Sequence, residues 1–519
     1  MPPTPSQPPA ADPAYAPFTG DRGFFGHPRG LSTLFFTEMW ERFSYYGIRP
    51  LLVLYMTAAV TSGGFGFERA EASSIVGIYA ASVYLASLPG GWVADRWLGL
   101  QRAVWFGGIF IAAGHLAIAL SIVFAHSAFF IGLVLIVMGT GLLKGNVAAI
   151  VGELYPAGGA RRDAGFSIFY MGINSGALIA PIVTGFLGER VGWHFGFGAA
   201  GIAMFIGLFV FRARAAATLG PIGRDPSGTP AQQARVRSIT LLVAALIAGL
   251  VLLGLFGVVR FSPVAIASNM TTVMLSMSAL YFLYLFFGAG LTGEEKKRIL
   301  VVVVLFIFSM IFWAAFEQSP TSLNLFARDF TERQLGGWEI PASWFQSIEP
   351  FFVVTLAPAM AALWIWLEKR GFNLSSPSKF AFGLASAGIG FVAMLVAANA
   401  VLASGGALRV SPLWLVFCFF THGVGELALS PVGLSSMTSL APRRLIGQMM
   451  GVWYTSIALG NLFAGIVGGS VDPSQLEQAP LLFKRTAISL FIASAILLAL
   501  VIPIRRLTQA RTGSGSQGG

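Results

Sequence analysis

The chain has 519 residues, of which 55% are apolar and only 11% charged, and its mean hydropathy is +0.75. Such a composition excludes a string of soluble domains and places the chain in a bilayer. A net charge of +11 brings no basic patch interleaved with aromatics, so nucleic acid is not a partner, and the one cysteine, Cys418, allows no intramolecular disulfide.

Residues 1–20, rich in Pro, Ala and Ser, read as a disordered tail. Apolar runs of spanning length follow at 31–58, 72–94, 103–125, 127–151, 165–188 and 193–212. The first starts after residue 30 and runs too long for a cleavable signal peptide. The stretch 213–238, with several Arg and three Pro, reads as a cytoplasmic linker. Two further runs, 239–260 and 264–291, contain no Lys, Asp or Glu, and their one Arg, Arg260, stands at a helix end; that suits lipid-facing additions. Six more follow at 299–320, 342–367, 378–403, 411–437, 446–470 and 484–504, before a second Gly- and Ser-rich tail at 507–519.

These fourteen runs lack the short alternation of barrel strands, so they predict helices. The predicted fold is an all-α polytopic membrane protein. An N-terminal six-helix bundle covers 21–212, a linker with two inserted helices covers 213–298, and a C-terminal six-helix bundle covers 299–506. With both termini in the cytoplasm, two-thirds of the 33 Lys and Arg fall on the cytoplasmic side, including Arg161-Arg162, Lys296-Lys297-Arg298 and Lys369-Arg370.

Charges deep in a span cost a few kcal/mol each, so they mark function by default. Here they are Glu38, Glu41, Arg42 and Arg49 in the first helix, Lys144 in the fourth, Glu317 in the first helix after the insertion and Glu426 in the fourth after it. With the two inserted helices set aside, these are helices 1, 4, 7 and 10, the period expected where the first member of each three-helix repeat lines a cavity. At about 100° per residue, Glu38, Glu41, Arg42, Tyr45 and Arg49 share one face of their helix, and Met39, Trp40, Phe43 and Ile48 occupy the rest. Four carboxylates against three cations leave one negative charge, which a proton balances. Making and breaking ion pairs at a desolvated carboxylate moves such a proton on and off, the chemistry of a proton-coupled symporter. Locking of helices by ion pairs alone is the structural alternative. Of the five histidines, His27, His126 and His194 lie at or outside helix ends, and His115 and His422 read as packed helix residues. No nucleophile beside His and acid, and no metal-ligand cluster, stands out, so an enzyme and a metal site are not expected.

The loop GGWVADRWLGLQR at 90–102 resembles the signature of the major facilitator superfamily, with Gly91, Asp95, Arg96 and Gly99 in the matching places. TEMWERFSYYGIRP at 37–50 resembles the ExxER signature of the proton-dependent oligopeptide transporter family. GLLKGN at 141–146, FYMGINSGALIAP at 169–181, FWAAFEQ at 312–318, SWFQSIEP at 343–350 and GELALSPVGLS at 425–435 extend the resemblance over both bundles. It implies the major facilitator fold with two extra helices, and proton-driven import of di- and tripeptides by alternating access, with protons as the coupling ion and no other cofactor. A monomer in membrane lipid is expected.

The resemblance also implies roles. Glu38, Glu41 and Arg42 are the proton-linked triad, with Arg42 near the peptide carboxylate. Lys144 pairs with a carboxylate and helps attract the peptide C-terminus, and Arg49 alternates between Glu317 and the cavity as a gate. Lys144 and Glu426 join the gating salt bridges. Glu426 receives the peptide ammonium, Asn174 hydrogen-bonds the peptide, and Tyr45, Tyr46, Tyr84, Trp313 and Trp453 shape side-chain pockets. The chain departs from the family pattern at Glu349, where Asn is usual. That carboxylate either strengthens capture of the amine, adds a second proton site, or faces the external mouth. A transporter of nitrate or another small anion in the same fold is the competing reading; paired cations and carboxylates suit a zwitterion better than a lone anion.

Overall fold

The computed structural model describes residues 15–259, 261–372 and 374–509. The expectations for most of the two tails and for Arg260 lie outside the described residues, but Ala16–Thr19, inside the expected N-terminal tail, forms a turn of helix.

Fourteen long helices carry the fold: α1 Arg29–Thr57, α2 Arg69–Val93, α3 Leu100–Ala119, α4 Ser121–Glu153, α5 Gly159–Phe186, α6 Trp193–Thr218, α7 Pro230–Leu255, α8 Pro263–Phe287, α9 Gly293–Phe316, α10 Ile348–Lys369, α11 Ser376–Ala403, α12 Leu413–Leu440, α13 Ile446–Gly468 and α14 Gln478–Gln509. Thirteen are long and apolar enough to cross a membrane. The exception is α1, in which every 18-residue stretch holds at least three of Arg29, Glu38, Glu41, Arg42 and Arg49. The helix least apolar by composition is the one that carries the polar stripe.

Local sequence sets several boundaries. Thr229 and Gln232 form a capping box with Pro230 at the first position of α7, and Thr292 with Glu295 does the same for α9. Helix α6 runs to Thr218, so the connection before α7 is shorter than the expected linker and is held in place. Gln101 Nε2 donates to the carbonyls of Gly220 and Ile222, at 3.0 and 2.7 Å, and Ser227 N donates to Asp95 O at 2.8 Å. The ADRWL signature segment is itself a turn of π-helix, Ala94–Leu98, ended by Gly99 at φ 79°. Helix α9 also continues beyond its predicted end, through a π-turn at Ser319–Leu323 into Asn324–Phe330. Apart from isolated bridges at Phe24–His27 and Thr331–Val410, the departure from an all-α chain among the described residues is a two-stranded ribbon pairing Gln334–Leu335 with Trp338–Glu339 about Gly336 and Gly337, both at positive φ.

The chain divides into two compact units. The first takes residues to Leu51 and Ser82–Phe261, and so includes α7. The second takes Leu52–Ala81 and Ser262 onward, and so includes α8. In the first unit, α3 and α4 pack backbone to backbone: a Cβ on Gly107 would lie 2.6 Å from Gly139 O, and one on Gly114 2.7 Å from Gly132 O. Small residues at this spacing are how membrane helices approach closely. Helix α5 lies on α1 in the same way, where a Cβ on Gly176 would meet Met39 O at 2.3 Å and Thr184 Oγ1 donates to Gly47 O at 2.8 Å. Helix α7 buries only Val236 among its described residues, whereas Leu241, Leu242, Leu246 and Leu250 are exposed, which fits a lipid-facing helix. In the second unit α8 docks on α9 through Phe282 and Phe306, and Tyr281 Oη donates to Gln448 Oε1 on α13 at 2.6 Å.

Candidate functional site

The stripe read from the 100° spacing of α1 folds inward. Glu38, Glu41, Arg42 and Tyr45 are each no more than 2% exposed, while Phe43 and Trp40 pack away from it against Ala180, Ala203 and Tyr46. Arg42 Nε lies 3.1 Å from Glu38 Oε1, and the Arg42 guanidinium also contacts Glu41. A guanidinium offers five donors in a rigid fork, so one Arg engages two carboxylates that a lysine ammonium would hold less well. Both Arg42 and Arg49 stand over the Tyr45 ring, at 5.5 and 5.9 Å, and Tyr46 meets that ring edge-on at 5.1 Å.

Helices α2 and α4 complete the cluster. Lys144 Nζ sits 3.9 Å from the centre of the Tyr84 ring, a cation–π contact, and its charge is felt at Glu38, Glu41 and Arg42. Seven of the sequence-predicted residues are thus brought together in the first unit with Tyr46 beside them. Their charges are three cations against two carboxylates. Asn174 is half-buried on α5, where its Nδ2 donates to Tyr170 O of its own helix at 2.9 Å. His115, read as a packed residue, is buried and joined to Ser44 on the flank of α1 through Nε2.

The second unit gathers the remaining carboxylates. Glu317 caps the C-terminus of α9, 4% exposed, next to Phe316 and one turn beyond Trp313, whose rings meet at 5.1 Å. Trp453 on α13 is buried against Phe380 and lies so close to Gly433 that a Cβ there would meet its ring at 2.2 Å. Helices α10 and α12 pack through Phe352 and Phe420, ring centres 5.2 Å apart, and through Gly423 beneath Phe352. Glu349 stands one turn before Phe352 on α10, and Glu426 one turn after Gly423 on α12. His422 is fully buried, stacked on Phe316 and tilted against Phe391. The deep charges of this unit are all carboxylates.

A second polar network in this unit was not foreseen from the sequence. Arg69 at the start of α2 donates to Asp329 Oδ2 at 2.6 Å and to Val471 O at 2.7 Å, and Arg328 holds both oxygens of Asp329 and reaches Thr57 Oγ1 at 2.8 Å. Each of these charges lies outside the predicted spans, where a charged residue reads as an ordinary solvated loop residue. Among the described residues, no group of three or more His, Cys, Asp or Glu is placed to hold a metal ion.

Known proteins similar to this chain show its family. The POT family model matches residues 101–481. A peptide transporter of Yersinia enterocolitica subsp. palearctica is 50% identical over 501 residues, covering 95% of this chain and 98% of its own length. A di-/tripeptide transporter of Lactococcus lactis subsp. cremoris is 39% identical, covering 84% of this chain and 88% of its own. Among solved structures, the peptide transporter POT in complex with sulfate superposes with a TM-score of 0.87 at 41% identity, over 95% of this chain and 99% of that one. A variant of that transporter bound to alafosfalin gives 0.86 at 42% identity, over 95% of this chain. Family model, relatives and structural neighbours converge with the helix pattern: the chain belongs to the POT family and has its major facilitator fold.

Proposed function

We propose that this protein is a proton-coupled symporter that imports di- and tripeptides by alternating access, as a monomer in the bacterial inner membrane with both termini in the cytoplasm. The observation that carries the substrate class is the division of deep charge. The first unit holds Arg42, Arg49 and Lys144 against two carboxylates, and the second holds Glu317, Glu349 and Glu426 with no deep cation. A peptide has an anionic end for the one and a cationic end for the other. Nitrate needs only the cations, and the two relatives described above are named peptide and di-/tripeptide transporters. Arg42, Arg49 and Lys144 take the peptide carboxylate, and Glu426 with Glu349 takes the ammonium. Asn174 hydrogen-bonds the peptide, and Tyr45, Tyr46, Tyr84, Trp313 and Trp453 line its side-chain pockets.

Proton coupling rests on the buried triad. With Glu38 and Glu41 sharing one guanidinium, protonation of either carboxyl frees Arg42 for the substrate carboxylate, and departure of the substrate returns Arg42 to both. Arg49 and Glu317 serve as a gating pair, as do Lys144 and Glu426 when the substrate leaves. The test is uptake into proteoliposomes under an inward proton gradient, with dipeptides, tripeptides, free amino acids and nitrate compared side by side. Accumulation of di- and tripeptides alone is the expected result; accumulation of nitrate without peptide overturns the reading.

A further inference from the structure

The segment that precedes α1 in the first unit carries a feature that transport does not use. Phe24 N donates to His27 O at 3.0 Å and His27 N to Phe24 O at 2.8 Å, so Phe25 and Gly26 form a two-residue turn. Both have positive φ, 50° and 81°, as a type I′ turn requires. Asparagine or glycine takes that conformation readily, whereas a bulky side chain is strained in it. Among the described residues Phe25 is the one non-glycine residue at positive φ, and it is 86% exposed. The turn is firmly held. Arg161 Nη2 of α5 donates to Asp21 O at 2.8 Å and to Gly26 O at 3.2 Å, and His27 Nδ1 lies 2.8 Å from Tyr155 Oη. Arg29 Nε donates to Asp21 Oδ2 at 2.8 Å. A strained, outward aromatic ring on a pinned turn points to something that covers it.

Beside the turn lies a groove of about 390 Å³, lined by Phe24, Phe25, Phe35, Phe36, Ile168 and Met171, with no polar side chain among them. It continues a lipid-facing surface. Met171 is exposed and heads a stripe along α5 with Ile179, Ile182 and Phe186, also exposed. At about 100° per residue these four fall within about 80° of one another, away from the Gly172 and Gly176 face that packs on α1. An exposed apolar stripe on a spanning helix meets acyl chains, so the groove opens onto the bilayer. Charge accompanies it: residues 15–29 and the anchoring arginine carry Arg22, Arg29 and Arg161 against Asp21, and Arg22 and Arg29 are exposed. We propose that this groove binds an anionic phospholipid of the leaflet at this end of α1. One acyl chain lies along Phe35, Phe36, Ile168 and Met171 beneath the Phe25 ring, and the phosphate meets Arg22 and Arg29. Burial of Phe25 against the chain offsets the strain of its backbone. A peptide does not suit the groove, which has no partner for either charged end. With the termini oriented as proposed above, this is the cytoplasmic leaflet, whose anionic headgroups attract basic residues.

The test uses the full-length protein, purified in detergent and stripped of lipid, with the variants Phe25→Ala, Ile168→Trp and Arg22→Gln. Native mass spectrometry follows titration with dioleoyl phosphatidylglycerol or dioleoyl phosphatidylcholine. One phosphatidylglycerol should bind the wild type more tightly than those that follow it. Phe25→Ala should weaken that first lipid by about tenfold, the worth of burying one phenyl ring. Ile168→Trp fills the groove and should weaken both lipids alike. Arg22→Gln should lower the preference for phosphatidylglycerol over phosphatidylcholine by about fivefold, as one basic residue near an anionic surface contributes. A second measurement needs no variant: a phosphatidylglycerol with a photoreactive acyl chain should label the wild type within residues 24–36 or 161–171. Labelling confined to other parts of the chain, or a first lipid held by Phe25→Ala and Ile168→Trp as tightly as by the wild type, refutes the site. Equal binding of the two lipids by the wild type refutes recognition of an anionic headgroup. A dimer of the wild type that phosphatidylglycerol does not disperse and that Phe25→Ala abolishes assigns the face to a second copy of the chain and overturns the proposal.

Discussion

Arg42 stands 3.1 Å from Glu38, one helical turn away, and contacts Glu41 with the same guanidinium, and each of the three side chains is at most 3% exposed. One buried cation between two buried carboxylates is not a neutral arrangement, so the triad is sensitive to a single proton. Glu41→Gln keeps size and hydrogen bonding but removes titration. Proton-driven accumulation should be abolished, with peptide counterflow partly retained. Full accumulation by this variant removes the triad from the coupling mechanism.

The amine end can be tested by a thermodynamic cycle. N-acetylation of a dipeptide should weaken binding to the wild type by roughly tenfold to a hundredfold, because a charge-assisted hydrogen bond is worth about 1.5–3 kcal/mol. In Glu426→Gln the same acetylation should cost much less. Equal costs in both proteins show that Glu426 does not read the amine.

The Arg69 network joins the end of α1, the start of α2, the end of the α9 extension and the loop after α13 within the second unit. Arg69 and Asp329 are each about one-sixth exposed, so the pair is screened less than a surface bridge. Arg69→Ala should lower stability by about 1–3 kcal/mol, since it leaves Asp329 with fewer donors and orphans Val471 O. A thermal-unfolding midpoint unchanged from wild type would show that the network contributes nothing to the fold.

His27, which precedes α1, is buried and its Nδ1 lies 2.8 Å from Tyr155 Oη. Desolvation first, and then the charge of Arg161, hold its pKa below the ordinary value. A histidine kept neutral in the folded state binds more protons when unfolded, so its contribution is complete above the unfolded value of about 6.5 and is lost as pH falls through the folded one. Thermal stability should therefore decline on acidification below about pH 6.5, and His27→Gln should flatten that decline. A variant profile as steep as the wild type's assigns the loss to other groups.

The helix count and the α1 stripe were legible in the sequence for physical reasons. In lipid every spanning segment satisfies its own backbone, so apolar length reports the helices directly, and a 3.6-residue period places Glu38, Arg42, Tyr45 and Arg49 on one face without tertiary knowledge. What the sequence hid were partners set by packing. Arg69 and Asp329 are 260 residues apart and each looks like an ordinary loop charge. Glu349 was visible as an odd residue, but that its helix packs on the one bearing Glu426, through Phe352 against Gly423, was not. The continuation of α9 past Glu317 was also hidden, because Pro320 and the polar residues around it read as a stop and are taken up instead in a π-turn.

The glycine contacts between α3 and α4 bear on mechanics. Backbone meets backbone at Gly107 and Gly139 and again at Gly114 and Gly132, and the β-branched side chains of Ile111, Ile118 and Ile136, stiff at χ1, pack directly on the opposing glycines, so little can adjust to let the helices slide. The two helices are therefore a stiff lever rather than a hinge. Lys144, borne on α4 beyond the second contact, is carried by that lever, so a movement of α3 arrives at Lys144 as a displacement of the charge itself rather than being absorbed on the way.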